Sequence, residues 1–248
     1  MTKPCRQARG AGLLMLMLLY LGCGGGETNR ALFKRYESQF SAKRQQFNNI
    51  AQALPAPGSV QGNTVANLSP KPVYGVKDSA NTDIVMYDQL LNPDIKSEGH
   101  NRLDLILSGG LLNALKWTGP NNPTSPSVLD KRSEPDMEIS LNKSLATRYL
   151  VVIRPARFDA PVAVNEDSFK GGSADVEVFV ADLQDGHVPA SGRFTAHSST
   201  NVEYLSKKGE DKRARLEEFA YSSLFTDARQ KLGTLLPEIT GGQFVLDK

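Results

Sequence analysis

The sequence predicts an α+β fold: a mainly antiparallel sheet with helices packed on one face, preceded by an N-terminal amphipathic helix. Three observations carry this expectation. Val176, Val178 and Val180 alternate with Glu177 and Phe179, and beyond "LQDGH" a second alternating run holds Ala190, Gly192, Phe194 and Ala196. Such period-2 runs on either side of a turn mark a hairpin. Upstream, Tyr149 to Ile153 is a continuous run of β-formers. Downstream, Leu216, Phe219, Ala220, Leu224, Ala228, Leu232 and Leu235 recur at helical spacing. The order helix, helix, strand, hairpin, helix places helices over a mainly antiparallel sheet.

The first element is an address. Lys3, Arg6 and Arg9 stand ahead of an uncharged, largely apolar run from Ala11 to Gly22. Twelve helical residues reach about 18 Å, well short of a bilayer core of about 30 Å, so the run reads as a signal peptide over residues 1–22. It ends as Leu19-Tyr20-Leu21-Gly22-Cys23, with Gly24, Gly25 and Gly26 behind the cysteine. This ending resembles the lipobox of bacterial lipoproteins, although Tyr20 holds a place where the family prefers an aliphatic residue. The resemblance implies that Cys23 becomes the first mature residue and carries diacylglycerol, and that the chain is anchored in the membrane by fatty acyl groups. Gly24 in place of Asp resembles the outer-membrane sorting preference of enteric bacteria. The expected location is thus the periplasmic face of the outer membrane, with the outer face of the cytoplasmic membrane as the alternative. Two or three acyl chains anchor for practical purposes permanently.

Charge and cysteine count narrow the function classes. The chain has two cysteines, Cys5 in the segment to be removed and Cys23 consumed by lipid, so the mature chain has no thiols left for a disulfide. Removing the three signal cations takes the formal charge from +2 to −1, which gives no support to a nucleic-acid partner. The roughly 225 residues that remain suffice for one good core with extensions.

Residues 23–54 are expected to hold the anchor, a glycine tether and an amphipathic helix. Phe33, Tyr36, Phe40, Phe47, Ile50 and Leu54 form its apolar seam, and Lys43 interrupts it. That seam either packs against the same chain or forms an oligomer through residues 29–54. An excess of basic charge over Glu27 to Leu54 and the prolines at 55 and 57 predict a stalk that stands apart from the body. Residues 55–100 read as an extended connector rich in Pro, Gly, Ser and Asn, with a short helix over Asp83 to Leu91. The body is expected over residues 101–248. There Leu103, Ile106, Leu107, Gly110, Leu111, Ala114 and Leu115 share one helical stripe that ends at Gly119-Pro120. Ser133, three before Asp136, resembles a capping box for a helix to about Arg148.

The hairpin can be read to the residue. A two-residue Asp-Gly turn would set valines opposite polar residues, whereas a three-residue loop, Gln184-Asp185-Gly186 with Gly186 left-handed, restores the parity. Val176 then faces Phe194 and Glu177 faces Arg193. The final helix is expected to stop at Pro237. The piece "VEVFVADLQDGHVPASGRF" resembles the hairpin of small α+β domains in curli-secretion and TolB-like envelope proteins.

No catalytic, cofactor-binding or metal-ligating residue is assigned. Ser140 and Lys143 fit S-x-x-K, Ser199 to Asn201 fits S-x-N, and Lys207-Lys208-Gly209 follows within a few residues. Penicillin-recognising enzymes need a whole subdomain around that third element, so Ser140 and Lys143 read as the polar side of a short helix. His100, His187 and His197 lack the spacing of a metal site, and "DLQDG" lacks alternating acidic ligands. "SGGLLNALK" has no Lys-Ser/Thr pair for a phosphate loop. The expected role is a lipid-anchored envelope protein that binds or assembles with another envelope component; the alternative is a periplasmic enzyme with a loop-built site.

Overall fold

Both faces of one four-stranded sheet are covered by helices. The computed structural model describes residues 25–75, 80–93, 110–119, 133–165, 168–200, 209 and 211–245. The signal segment, Cys23, His100, the stripe residues Leu103 to Leu107, Asn201 and the lysines at 207 and 208 lie outside the described residues.

Along the chain, α1 (Gly25–Ala53) is followed by β1 (Val73–Gly75), β2 (Thr82–Met86), α2 (Tyr87–Leu91), α3 (Gly110–Trp117) and α4 (Glu134–Leu145). Then come β3 (Tyr149–Asp159), β4 (Val162–Ala163), β5 (Phe169–Lys170), β6 (Ser173–Asp182), β7 (Ala190–His197), α5 (Lys212–Thr240) and β8 (Gln243–Val245). The main sheet runs β2-β3-β6-β7. Its β3-β6 and β6-β7 pairs are antiparallel, as expected, but β2 joins β3 in parallel. Small pairs β1-β8 and β4-β5 lie outside it.

The hairpin register agrees with the reading from parity: Val176 faces Phe194 and Glu177 faces Arg193. Gly186 is left-handed, with φ at 74°. Ser133 caps α4, its hydroxyl accepting from the Asp136 amide. Tyr149 to Ile153 is buried on both faces, and β3 continues to Asp159 through a register shift between Pro155 and Arg157. Pro155 has no amide hydrogen for the ladder, which accounts for an irregularity there.

Four expectations are corrected. Helices do not sit on one face only. Val85, Leu150, Val152, Phe179 and Ala181 pack against α1, α2, α3 and α4 in one core. Ile84, Val151, Val176, Val178 and Val180 pack against α5 in the other. Second, α1 is not a stalk. Leu32, Phe40, Phe47 and Ile50 are fully buried and Phe33 and Tyr36 nearly so, all in the first core. The seam that a second copy would have used is therefore filled by the body. The basic excess is partly taken up by the body too: Arg35 pairs with Glu134 at the surface, Arg44 bonds the Leu115 carbonyl, and burial lowers the pKa of the Lys43 ammonium despite the opposing pull of Asp182.

Third, the helix expected over Asp83 to Leu91 is present only from Tyr87 to Leu91, and Thr82 to Met86 is a strand, so the boundary at residue 101 does not divide the packing. Thr82, Ile84 and Val85 are β-branched, and all five residues of β2 are buried beside β3. The buried Asp83 carboxylate bonds the Leu111 amide in the first turn of α3 at 2.6 Å and the Ile84 amide at 3.0 Å. Fourth, Pro237 lies inside α5, which continues to Thr240. An interior proline costs about 3 kcal/mol. Full burial of Leu236 and Ile239 returns about 1.5–3 kcal/mol each, and the helix ends instead at Gly241, left-handed at φ 66°.

Residues 54–72 are extended, as expected, but they form a strap around the sheet. The Pro55 and Ala56 carbonyls bond Arg154 on the α1 side, Thr64 bridges Ser191 on β7, and the Ala66 amide bonds the Ile239 carbonyl on the α5 side. The crossing needs Gly192: a Cβ there would sit 2.8 Å from Asn63 Oδ1 and 2.9 Å from Leu235.

Candidate functional site

Among the described residues, two concave regions flank the sheet and are built differently. The larger, about 680 Å³, lies between the end of β7 and α5 and is lined by His197, Ser198, Ser199, Ser223, Asp227 and Lys231 among others. β7 is an edge strand, so its outward backbone groups need partners. At Ser191 the strap supplies them: the Thr64 amide donates to the Ser191 carbonyl at 2.7 Å and the Ser191 amide to Thr64 at 3.1 Å. Further along, α5 supplies them by side chain. Lys231 Nζ donates to the Thr195 carbonyl at 2.5 Å, and the His197 amide donates to Asp227 Oδ2 at 2.8 Å. Asp227 and Lys231 are one helical turn apart and 3.0 Å from each other, so the pair closes the edge as a unit.

The serines beside this pair have structural work. Ser223 Oγ donates to the Ala220 carbonyl and accepts the Ser199 amide, both at 2.9 Å. Ser198 Oγ accepts the Gly172 amide at 2.8 Å. The groove thus offers hydroxyls, an imidazole and an ion pair at its rim, a surface suited to polar contact. His197 is exposed, as its place on the polar side of the strand implied.

The smaller region, about 310 Å³, is lined by Pro57, Met86, Tyr87, Asp88, Arg154 and Arg157 among others. Arg154 in its lining belongs to a buried ion pair that sequence reading missed. Arg154 and Glu177 face each other across β3 and β6 and are 4% and 2% exposed. Nε and Nη2 of Arg154 meet Glu177 Oε2 at 2.9 Å, Nη1 donates to the Pro55 carbonyl at 2.8 Å, and Nη2 to the Ala56 carbonyl at 3.2 Å. Glu177 Oε1 accepts the Val60 amide at 3.1 Å. The guanidinium also lies 4.9 Å from the Phe179 ring centroid and 5.4 Å from that of Tyr87. Its donors are divided between Glu177 and the strap. The signal in the sequence was Arg154 directly after a strand buried on both faces, with a glutamate on the neighbouring strand.

The other expected residues are not brought together. Ser140 is on α4, where its hydroxyl bonds the Asp136 carbonyl, and Ser199 follows β7 across the sheet. The His187 amide bonds the Asp185 carboxylate just past the hairpin turn. Among the described residues no three His, Cys, Asp or Glu side chains are grouped to hold a metal ion. No protein-family model and no curated protein matches the sequence.

Proposed function

We propose that this chain is a bacterial lipoprotein, lipidated on Cys23 and held at the cell envelope, on the periplasmic face of the outer membrane. Its α+β body binds or assembles with another envelope component. The observation that carries this reading is the basic segment, the short apolar run and the Leu-Gly-Cys ending at residues 21–23. Two further facts are compatible with it: among the described residues no helix is long and apolar enough to cross a membrane, and the polar side chains of both concave regions hold the fold together. The test is Cys23→Ser in cells fed a palmitate analogue. The native protein is expected to take up label and to mature to a chain beginning at Cys23; the variant is expected to stay unlabelled and at precursor size. Equal labelling and equal mature size of the two would overturn the reading.

A further inference from the structure

We infer that the folded body rests directly on the membrane that anchors it, with the N-terminal end of α1 against the lipid headgroups; this rests on lipidation of Cys23 as proposed above. The argument is one of reach. A lipid anchor frees its cargo only through the flexible residues between the lipid and the first buried side chain. Here α1 begins at Gly25, Asn29 is 3% exposed, and Leu32 is fully buried in the first core. From Cys23 to Asn29 the chain spans at most about 20 Å if fully extended and about 9 Å if helical. A body of this length has a radius of gyration of about 17 Å, so its width exceeds the reach. One end must therefore always face the bilayer.

The side chains near that end suit a lipid surface. Phe33, about 12 Å along the axis from the start of α1, stacks on Trp117 with ring centroids 6.3 Å apart. Lys34 is exposed, and Lys116, in the last turn of α3, is half-buried. Phe33 is 6% exposed and belongs to the first core, so it is the half-buried Trp117 ring that suits the headgroup level, and basic side chains favour anionic headgroups. Arg35 contributes less, because Glu134 and Glu138 already hold it.

Trp117 is the single tryptophan of the chain and serves as the reporter. The full lipidated protein is reconstituted in phosphatidylethanolamine and phosphatidylglycerol vesicles carrying a trace of dansyl-headgroup lipid, and energy transfer from Trp117 is measured. A second protein carries a 40-residue Gly/Ser insertion between Gly26 and Glu27, a spacer with a root-mean-square span of about 35 Å. Equal thermal melting checks that it folds alike. Strong transfer in the native chain that falls severalfold in the spaced protein is expected. Weak transfer in the native chain, or equal transfer in both, overturns the inference while leaving lipidation intact. A mature mass without diacylglycerol on Cys23 overturns the lipidation reading and the inference with it.

Discussion

Removing either member of the Arg154–Glu177 pair is expected to destabilise the protein by about 3–5 kcal/mol, the range for a buried ion pair broken from one side. Neither residue is more than 4% exposed, so the charge left behind cannot turn to water. Arg154→Met keeps most of the apolar stem beside Phe179 and Tyr87 but orphans the Glu177 carboxylate and the carbonyls of Pro55 and Ala56. Glu177→Leu leaves the guanidinium without its anion and the Val60 amide without its acceptor. The double variant removes both charges. Its remaining cost is the unsatisfied strap groups, about 1 kcal/mol or somewhat more each. The two single losses together should therefore exceed the double loss, with a coupling of about 3 kcal/mol or more. Equilibrium urea unfolding followed by far-ultraviolet circular dichroism measures all four proteins. Strictly additive losses, or single losses under about 1 kcal/mol, would refute the claim that a buried charge pair clamps the strap. Against a total stability of about 5–15 kcal/mol the expected effect is large enough to resolve easily.

Two further outcomes are expected. A protein starting at Pro70 lacks Leu32, Phe33, Phe40, Phe47, Ile50 and Val60, each worth about 1.5–3 kcal/mol of burial; it should lose its cooperative melt or aggregate, and a melt near that of the full chain would show that α1 is dispensable. Burial pushes the Tyr74 hydroxyl up to about 12, partly offset by its bond to Thr240. Because the folded value lies above the ordinary value of about 10, the neutral phenol stabilises the fold fully below pH 10 and that contribution, at most roughly 2–3 kcal/mol, fades as pH rises toward 12. The stability advantage of the native protein over Tyr74→Phe should accordingly shrink across that window, and an advantage constant with pH would refute the assignment.

What was legible in the sequence was local. The hairpin register followed from side-chain parity, because a two-residue turn would have set valines opposite polar residues and a three-residue loop keeps Val176 opposite Phe194. Ser133 and Gly186 could be read because capping and a left-handed turn each depend on one or two residues. What escaped depended on partners far along the chain. Thr82 to Met86 becomes a strand through Tyr149 to Ile153, and the charged Asp83 in its middle masked the β-branched pattern. Pro237 stays helical because Leu236 and Ile239 have a core to enter, which propensity alone does not reveal. Glu177 was expected to meet Arg193 on an open face. The register is right, but its carboxylate turns to Arg154 beneath a second layer, while Arg193 bonds the Val60 carbonyl. The proposal of a lipid on Cys23 rests on residues 1–23 alone, since neither burial nor bonding of described side chains bears on Cys23.

The layering itself constrains where a partner can engage. With helices on both sheet faces, recognition by a flat strand surface is closed off. The β7 edge is closed as well, by the strap at Ser191 and by Asp227 and Lys231 at His197 and Thr195. Edge shielding of this kind suppresses unplanned strand pairing. A partner adding a strand to β7 would have to displace both the ion pair and the strap, losing two charge-assisted bonds to backbone before gaining its own. Surfaces that stay open among the described residues include the ends of the layers and the hydroxyl-lined groove beside α5. Of these, the end at α1 lies within a few residues of Cys23, so under the lipoprotein reading it is committed to the membrane. The groove beside α5 presents His197 and the Asp227–Lys231 pair at its rim, so its described lining is polar, and much of its bonding capacity already goes to holding β7 against α5.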